Sequence, residues 1–312
     1  MNKSITLIYH RVDYDGLFSA LIYQQYINTN YPEVGVLAIG FTYGDNLPDI
    51  NYLKSNSDEL VMVDISFPPE YMLKLVEVFG KDHITWIDHH ITAIRESRQF
   101  NYNDLVGYRN GNPEKGACEL TWEWCFRDIQ PPKIIQYLSA YDVWNKKRFS
   151  WDNEVLPCQN GLRAIFGMNF DLISQNPNQI LSDAFLELQI LPGGRMIRSF
   201  LSMKWKTQVK NSAFDIMVAG KYKGIAMLSP DFSSAMFESV LNKGYKVFCI
   251  CNVKRDSDLY SVSLYSEPDG RLGDFELGEY MKQNYGGGGH ATAAGGKLTE
   301  EQFKKLIFNK II

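Results

Sequence analysis

Ile84-Thr85-Trp86-Ile87-Asp88-His89-His90 is a strand-forming run followed without a break by a carboxylate and two imidazoles. It predicts a short buried strand that delivers Asp88, His89 and His90 to its C-terminal end, the edge where open α/β sheets place their ligand crevices. Two other stretches are built the same way. Ile5-Thr6-Leu7-Ile8 leads into Tyr9-His10-Arg11-Val12-Asp13-Tyr14-Asp15, and Leu60-Val61-Met62-Val63 is closed by Asp64. Three predicted strands thus end in residue types that bind metals.

Around these runs the first part of the chain reads as strands at 5–9, 34–41, 60–64 and 84–88, with helices near 16–27 and 69–79. Such alternation predicts an α/β fold with a mostly parallel sheet covered by helices. The pattern then turns helical, with stretches at 119–126 and 133–144. Asp142 falls near the end of the second, among Leu138, Tyr141 and Trp144. A carboxylate in such company needs a compensating partner, and a metal is one. Trp122 and Trp144, with aliphatic neighbours, are read as core residues. A helical connector is expected over 178–211, interrupted at Leu191-Pro192-Gly193-Gly194. A smaller α/β domain follows at 212–312, with strands at 214–219, 225–228, 247–253 and 260–265 and helices at 233–242 and 272–284. The first domain is accordingly assigned to 1–177.

The 312 residues suit two domains better than one, and 45% hydrophobic with 22% charged residues is ordinary for a globular chain. No apolar run reaches 18 residues, so no membrane association is expected. The start of the chain has no signal-peptide pattern, the reading of a cytoplasmic protein. Cys118, Cys125, Cys158, Cys249 and Cys251 are odd in number and lack ligand spacing, against both a disulfide framework and a thiolate zinc site. A net charge of -4 offers no general attraction for a long nucleic acid. A phosphate-bearing partner must be held by local groups, which favours a small one.

His10, Asp13, Asp15, Asp64, His89 and Asp142 form the candidate metal set. Imidazoles and carboxylates without thiolates suit manganese, iron or zinc, and added carboxylates favour the harder ions. Four converging carboxylates repel one another, and two divalent ions would neutralise them, with Asp64 placed to bridge. His90 is then free to donate to phosphate. The first strand-to-helix turn lacks both Gly-x-Gly-x-x-Gly and a Walker A pattern, against a nicotinamide dinucleotide or a nucleoside triphosphate.

These motifs, His10-x-x-Asp13-x-Asp15-Gly16 with Ser19, Asp64, Asp88-His89-His90, Asp142, and the later Gly286-Gly287-Gly288-Gly289-His290 with Ala294-Gly295-Gly296, resemble those of the DHH phosphoesterases that carry a C-terminal DHHA1 domain. The stretches at 88–93, 116–122 and 141–144 look like the branch related to nano-RNases of the B type. The resemblance implies that His10, Asp13 and Asp64 hold one ion, and Asp15, Asp64, His89 and Asp142 the other. Manganese is the cofactor it favours. It further implies that His90 contacts the scissile phosphate, that Asp88 orients an imidazole rather than binding metal, and that Gly286 to Gly289 with His290 hold substrate in a cleft between the domains.

Members that degrade short oligonucleotides often carry an arginine where this chain has Tyr265. The aromatic ring could stack on a base, and Arg271 could supply the missing charge. The implied reaction is hydrolysis of a very short oligonucleotide, RNA above all, to nucleoside monophosphates. Alternatives are a cyclic nucleotide or cyclic dinucleotide phosphodiesterase, a phosphoadenosine phosphatase, an exopolyphosphatase, or a catalytically silent nucleotide-binding protein. A homodimer is the base-rate expectation.

Overall fold

A computed structural model of the protein describes residues 4–111, 114–230, 233–253, 259–266, 272–289 and 291–312. The chain divides into two compact units, Met1–Arg198 and Ser199–Ile312.

The first unit is built on a four-stranded, wholly parallel sheet of β1 (Ser4–His10), β2 (Gly35–Phe41), β3 (Glu59–Val63) and β4 (Ile84–Ile87), in the order β2-β1-β3-β4. Between them run α1 (Tyr14–Asn30), α2 (Ile50–Asn56) and α3 (Pro69–Phe79). They are followed by α4 (Ile91–Gln99), α5 (Ala117–Cys125) and α6 (Lys133–Asp142). Side chains alternate across the sheet with the period of two that a strand imposes. Val61 and Val63 join Leu7, Leu17, Leu21, Leu120 and Leu138 in the core under α1, α5 and α6. Leu60 and Met62 join Ile8, Trp86, Met72 and Leu75 in the core under α3. With both faces covered, the strands read as near-continuous apolar runs.

The chain leaves β1 toward β2 on one side, then returns to place β3 on the other side of β1. This reversal opens a crevice at the carboxyl ends of β1 and β3. Asp13 caps α1 there, its side chain accepting from the Gly16 amide. A Cβ at Gly16 would lie 2.0 Å from the His10 carbonyl oxygen, so glycine is what lets α1 start tight against the end of β1.

The second unit carries a six-stranded mixed sheet of β5 (Phe214–Val218), β6 (Tyr222–Leu228), β7 (Val247–Val253), β8 (Tyr260–Ser266), β9 (Gly288–Gly289) and β10 (Ala293–Leu298), in the order β5-β6-β7-β8-β10-β9. The expected helix over 233–242 is a 3₁₀ segment, Ser234–Val240, and that over 272–284 starts later, as Leu277–Tyr285.

The expected break at 191–194 is absent. A π-helical turn at Leu186–Ile190 runs straight into a helix over Leu191–Ser212. Pro192 therefore lies inside a continuous helical run, and the wider π turn before it accommodates both the ring and the missing N–H. Gly194 serves packing, since a Cβ there would lie 1.8 Å from the Pro157 carbonyl oxygen. All five cysteines are free and buried, and no helix is long and apolar enough to cross a membrane among the described residues.

Candidate metal centre

The six residues read as metal ligands meet at the carboxyl edge of the parallel sheet. His10 ends β1, and its Nδ1 lies 2.8 Å from Asp13 Oδ2 and 3.6 Å from Asp64 Oδ2. His89 Nε2 faces three carboxylates at once, 3.3 Å from Asp64 Oδ1, 3.3 Å from Asp142 Oδ2 and 3.6 Å from Asp15 Oδ2. Three sets of donors, His10 with Asp13 and Asp64, Asp15 with His89 and Asp142, and Asp64 with His89 and His90, each fall within 4.8 Å. Asp64 lies between the first two.

Asp64 reaches that position by leaving the strand geometry. Its φ of 56° is left-handed, a region a non-glycine residue rarely enters and one that Asp tolerates better than most. Its amide still bonds the Ile87 carbonyl, so the turn is fixed to β4. His10 Nδ1 and Asp64 Oδ1 are buried without an aligned hydrogen bond, although both sit at ion-pair distance from neighbours. Buried polar atoms normally find partners. Hard carboxylate and imidazole donors left unsatisfied at a shared centre fit divalent ions.

Asp15 is held differently. Its carboxylate accepts from the Ala117 and Cys118 amides at 2.6 and 2.9 Å, at the start of α5, where free N–H groups and the helix dipole favour an anion. Gly116 makes room, since a Cβ there would come within 2.7 Å of Asp15 Oδ1. Beneath this contact the Gly116 amide donates to Ser139 Oγ, and Ser139 donates to buried Glu119, which Arg148 clasps with both guanidinium nitrogens. This network ties α5 to α6, and so Asp15 to Asp142.

Burial raises the Asp15 and Asp142 pKa values to about 7, with like charge adding to it from Asp64 on Asp15 and from Asp15 on Asp142. Burial alone would lower those of His10 and His89, but the surrounding carboxylates override it and carry both to about 10. Protons thus stand where cations of higher charge would fit.

Asp88 is fully buried. It accepts from the His89 and His90 amides at 2.8 and 3.2 Å and from Trp86 Nε1 at 3.2 Å, and its Oδ1 lies 2.7 Å from His90 Nδ1. With Nδ1 committed to Asp88, Nε2 is the nitrogen His90 can present to a ligand.

Neither a protein-family model nor a curated protein matches the sequence. Solved structures do match the fold. A pGpG-specific phosphodiesterase from Vibrio cholerae aligns with a TM-score of 0.55 at 14% identity over 98% of this chain and 96% of its own. The DHH domain of a member of a ribosomal-protein family aligns at 0.56 and 14%, over 98% and 85%. An exopolyphosphatase-related protein from Bacteroides fragilis aligns at 0.52 and 15%, over 97% and 90%. This chain has the fold of a DHH domain.

Within the DHH fold the carboxyl end of β2 also borders the centre, which the sequence reading overlooked. Thr42 Oγ1 lies 3.5 Å from His10 Nε2, and the Tyr43 ring lies 5.6 Å from that of His10 and 6.4 Å from that of His90. The signal was available, because every strand of a parallel sheet ends at the same edge.

Trp122 is core as expected, but Trp144 is not: it is 54% exposed. Tyr265 packs on β8 against the cluster of Phe237 and Phe248 in the second unit. Much of the glycine run has a reason inside that unit. Gly286 ends the preceding helix at a φ of 57°, and a Cβ on Gly287 would lie 1.9 Å from the Gly295 carbonyl oxygen. Gly288 and Gly289 form β9 against β10. Arg271 and His290 lie outside the described residues.

Proposed function

We propose that the protein is a metal-dependent phosphodiesterase that cleaves very short oligonucleotides, RNA above all, to nucleoside monophosphates. The observation that carries this reading is the convergence of His10, Asp13, Asp15, Asp64, His89 and Asp142, with Asp64 common to both halves. His10, Asp13 and Asp64 would hold one divalent ion, and Asp15, Asp64, His89 and Asp142 the other. Manganese suits this mix of imidazole and carboxylate. Bound there, the ions polarise phosphoryl oxygens and lower the pKa of water.

The chain's own residues do the rest. Asp88 fixes the His90 ring, so that Nε2–H donates to a phosphate oxygen. Asp15 is immobilised by two amides, and α6, which ends at Asp142, is tied to α5 by the Glu119–Arg148 network, so the donors need little reorganisation when charge builds on the phosphoryl oxygens. Tyr43 flanks His10 and His90. Gly286 to Gly289, Tyr265, Arg271 and His290 are the substrate contacts proposed in the second unit.

A small substrate is supported by the net charge of -4 and by one relative of the same fold being named for action on the dinucleotide pGpG. The test is a manganese-supplemented screen of a dinucleotide, a longer RNA, a cyclic dinucleotide, a 3′,5′-bisphosphonucleoside and polyphosphate. The dinucleotide should be turned over fastest, with mononucleotide products. Silence toward every substrate would overturn the enzyme assignment, and preference for polyphosphate would overturn the substrate.

A further inference from the structure

We propose that Trp144 is the platform on which a nucleobase of the ligand stacks while its phosphate lies at the carboxylate–histidine cluster. The proposal rests on the phosphodiesterase reading for the identity of the ligand.

The first observation is place. Trp144 follows Asp142 by two residues, at most about 7 Å of chain, and Asp142 Oδ2 is 3.3 Å from His89 Nε2. The Trp144 backbone is therefore tethered to the cluster within about the length of one nucleoside.

The second is backbone conformation. α6 ends in a Schellman-type turn, in which the Asn145 amide bonds the Ala140 carbonyl and the Trp144 amide bonds that of Tyr141. The left-handed position of such a turn is normally glycine or asparagine. Here it is a tryptophan at a φ of 56°, an outlier for a bulky side chain. A fold needing only a helix stop would be served better by glycine. Strain of this kind concentrates where a side chain must be held for a ligand.

The third is bracing. Trp144 lies edge-on to Trp151, with ring centroids 4.9 Å apart, and to Tyr141 at 5.9 Å, while Tyr141 and Trp151 stack on each other at 10°. The indole is thus supported from below yet more than half exposed. Tryptophans with a purely structural role in this chain look different: Trp86 and Trp122 are buried, and their indole N–H groups donate to the carbonyls of Ile65 and Ile129.

The fourth is charge. Lys146 Nζ lies 4.9 Å from the Trp144 ring centroid and 5.5 Å from that of Trp151. A cation at an exposed indole favours a ligand that joins a flat ring to a phosphate, and disfavours a bare aliphatic one.

The test is isothermal titration of the full chain, with manganese present, by a diadenosine dinucleotide carrying a methylenephosphonate linkage that cannot be hydrolysed. Wild type, Trp144→Ala and Trp144→Phe are compared, with far-UV spectra confirming the fold. Loss of one stacked base weakens binding by roughly 5- to 150-fold, corresponding to about 1–3 kcal/mol. Trp144→Ala should show such a loss, and Trp144→Phe should recover most of it. Equal affinity of wild type and Trp144→Ala, or the absence of any binding, overturns the proposal. So does a loss that is equally large for a ribose-phosphate ligand without bases. Turnover of the ordinary dinucleotide is measured alongside. Binding that depends on Trp144 without cleavage refutes the phosphodiesterase reading alone, whereas cleavage with affinity indifferent to Trp144 refutes the platform alone.

Discussion

If His10 and His89 are metal ligands, filling the centre must expel their protons, and this can be counted. The surrounding carboxylates hold both imidazoles, against burial, at a pKa of about 10. At pH 7, three units below that value, only about one ring in a thousand is neutral, so removing each proton opposes metal binding by about 4 kcal/mol. The sign is fixed: metal takes the neutral imidazole, so affinity rises with pH, by about tenfold per unit for each histidine proton displaced. The two ions should differ. The one held by His10, Asp13 and Asp64 should gain at least the tenfold per unit that the His10 proton supplies, because, against the effect of burial, contact with His10 lowers the Asp13 pKa and that carboxylate adds no proton, whereas the raised pKa of the shared Asp64 bears on both ions. The other should be steeper below pH 7, because Asp15 and Asp142 titrate at about 7 and their protons leave too. Those protons belong to one coupled cluster, so the steps are properties of the group. Manganese titrations at pH 8 in buffers of different ionisation enthalpy give the number directly. About two protons should be released on filling both sites in wild type and about one in His10→Gln. Release of none, or affinity flat between pH 6 and 9, would refute the ligand assignment.

Two other outcomes follow from the same geometry. Asp64→Asn should abolish turnover, through loss of the shared donor, yet raise the melting temperature of the chain in chelator at pH 8. The Asp64 pKa is raised in the folded state, chiefly by burial, so at a pH where the unfolded chain has long lost that proton the ionised carboxylate opposes folding. Asparagine keeps the shape and tolerates the left-handed backbone, and an unchanged or lower melting temperature would sink the idea. Asp88→Asn should lower the His90 pKa, now about 9 because the bond to Asp88 outweighs burial, by about 1–3 units. Imidazole resonances in the metal-free chain report it, and a His90 titration that does not move would show that Asp88 does not govern the ring.

The strand ends were legible because a parallel sheet hides its strands on both faces and leaves only their termini for chemistry. A polar residue closing an apolar run, as in Val63-Asp64 or Ile87-Asp88, is therefore conspicuous. What remained illegible had two physical sources. Thr42 and Tyr43 follow the end of β2 and carry no charge, so their position at the sheet edge was the one signal and nothing in their type added to it. Trp144 has the apolar neighbours of a core position, but a left-handed residue at the helix end turns its side chain out of the pattern that helical spacing implies. Pro192-Gly193-Gly194 misled in the opposite direction, since a π turn just before it lets the helix carry the proline and Gly194 marks close packing rather than a loop.

The chemistry of the centre also explains how such a site can fold before any metal arrives. Asp13, Asp15, Asp64 and Asp142 would bring four negative charges into one crevice if all were ionised, which an isolated cluster could not sustain. In this fold the compensation is distributed. His10 and His89 are drawn to the protonated state by the same carboxylates, Asp15 rests on the amides of α5, and Asp15 and Asp142 titrate near neutrality. At pH 8, above the titration of Asp15 and Asp142, two divalent ions would bring four positive charges and displace two imidazole protons, a net gain of about two charges on the same donors. The protons are thus a weaker stand-in for the metals. A centre compensated in this way can assemble on the sheet without metal, and still bind divalent ions more tightly as the pH rises.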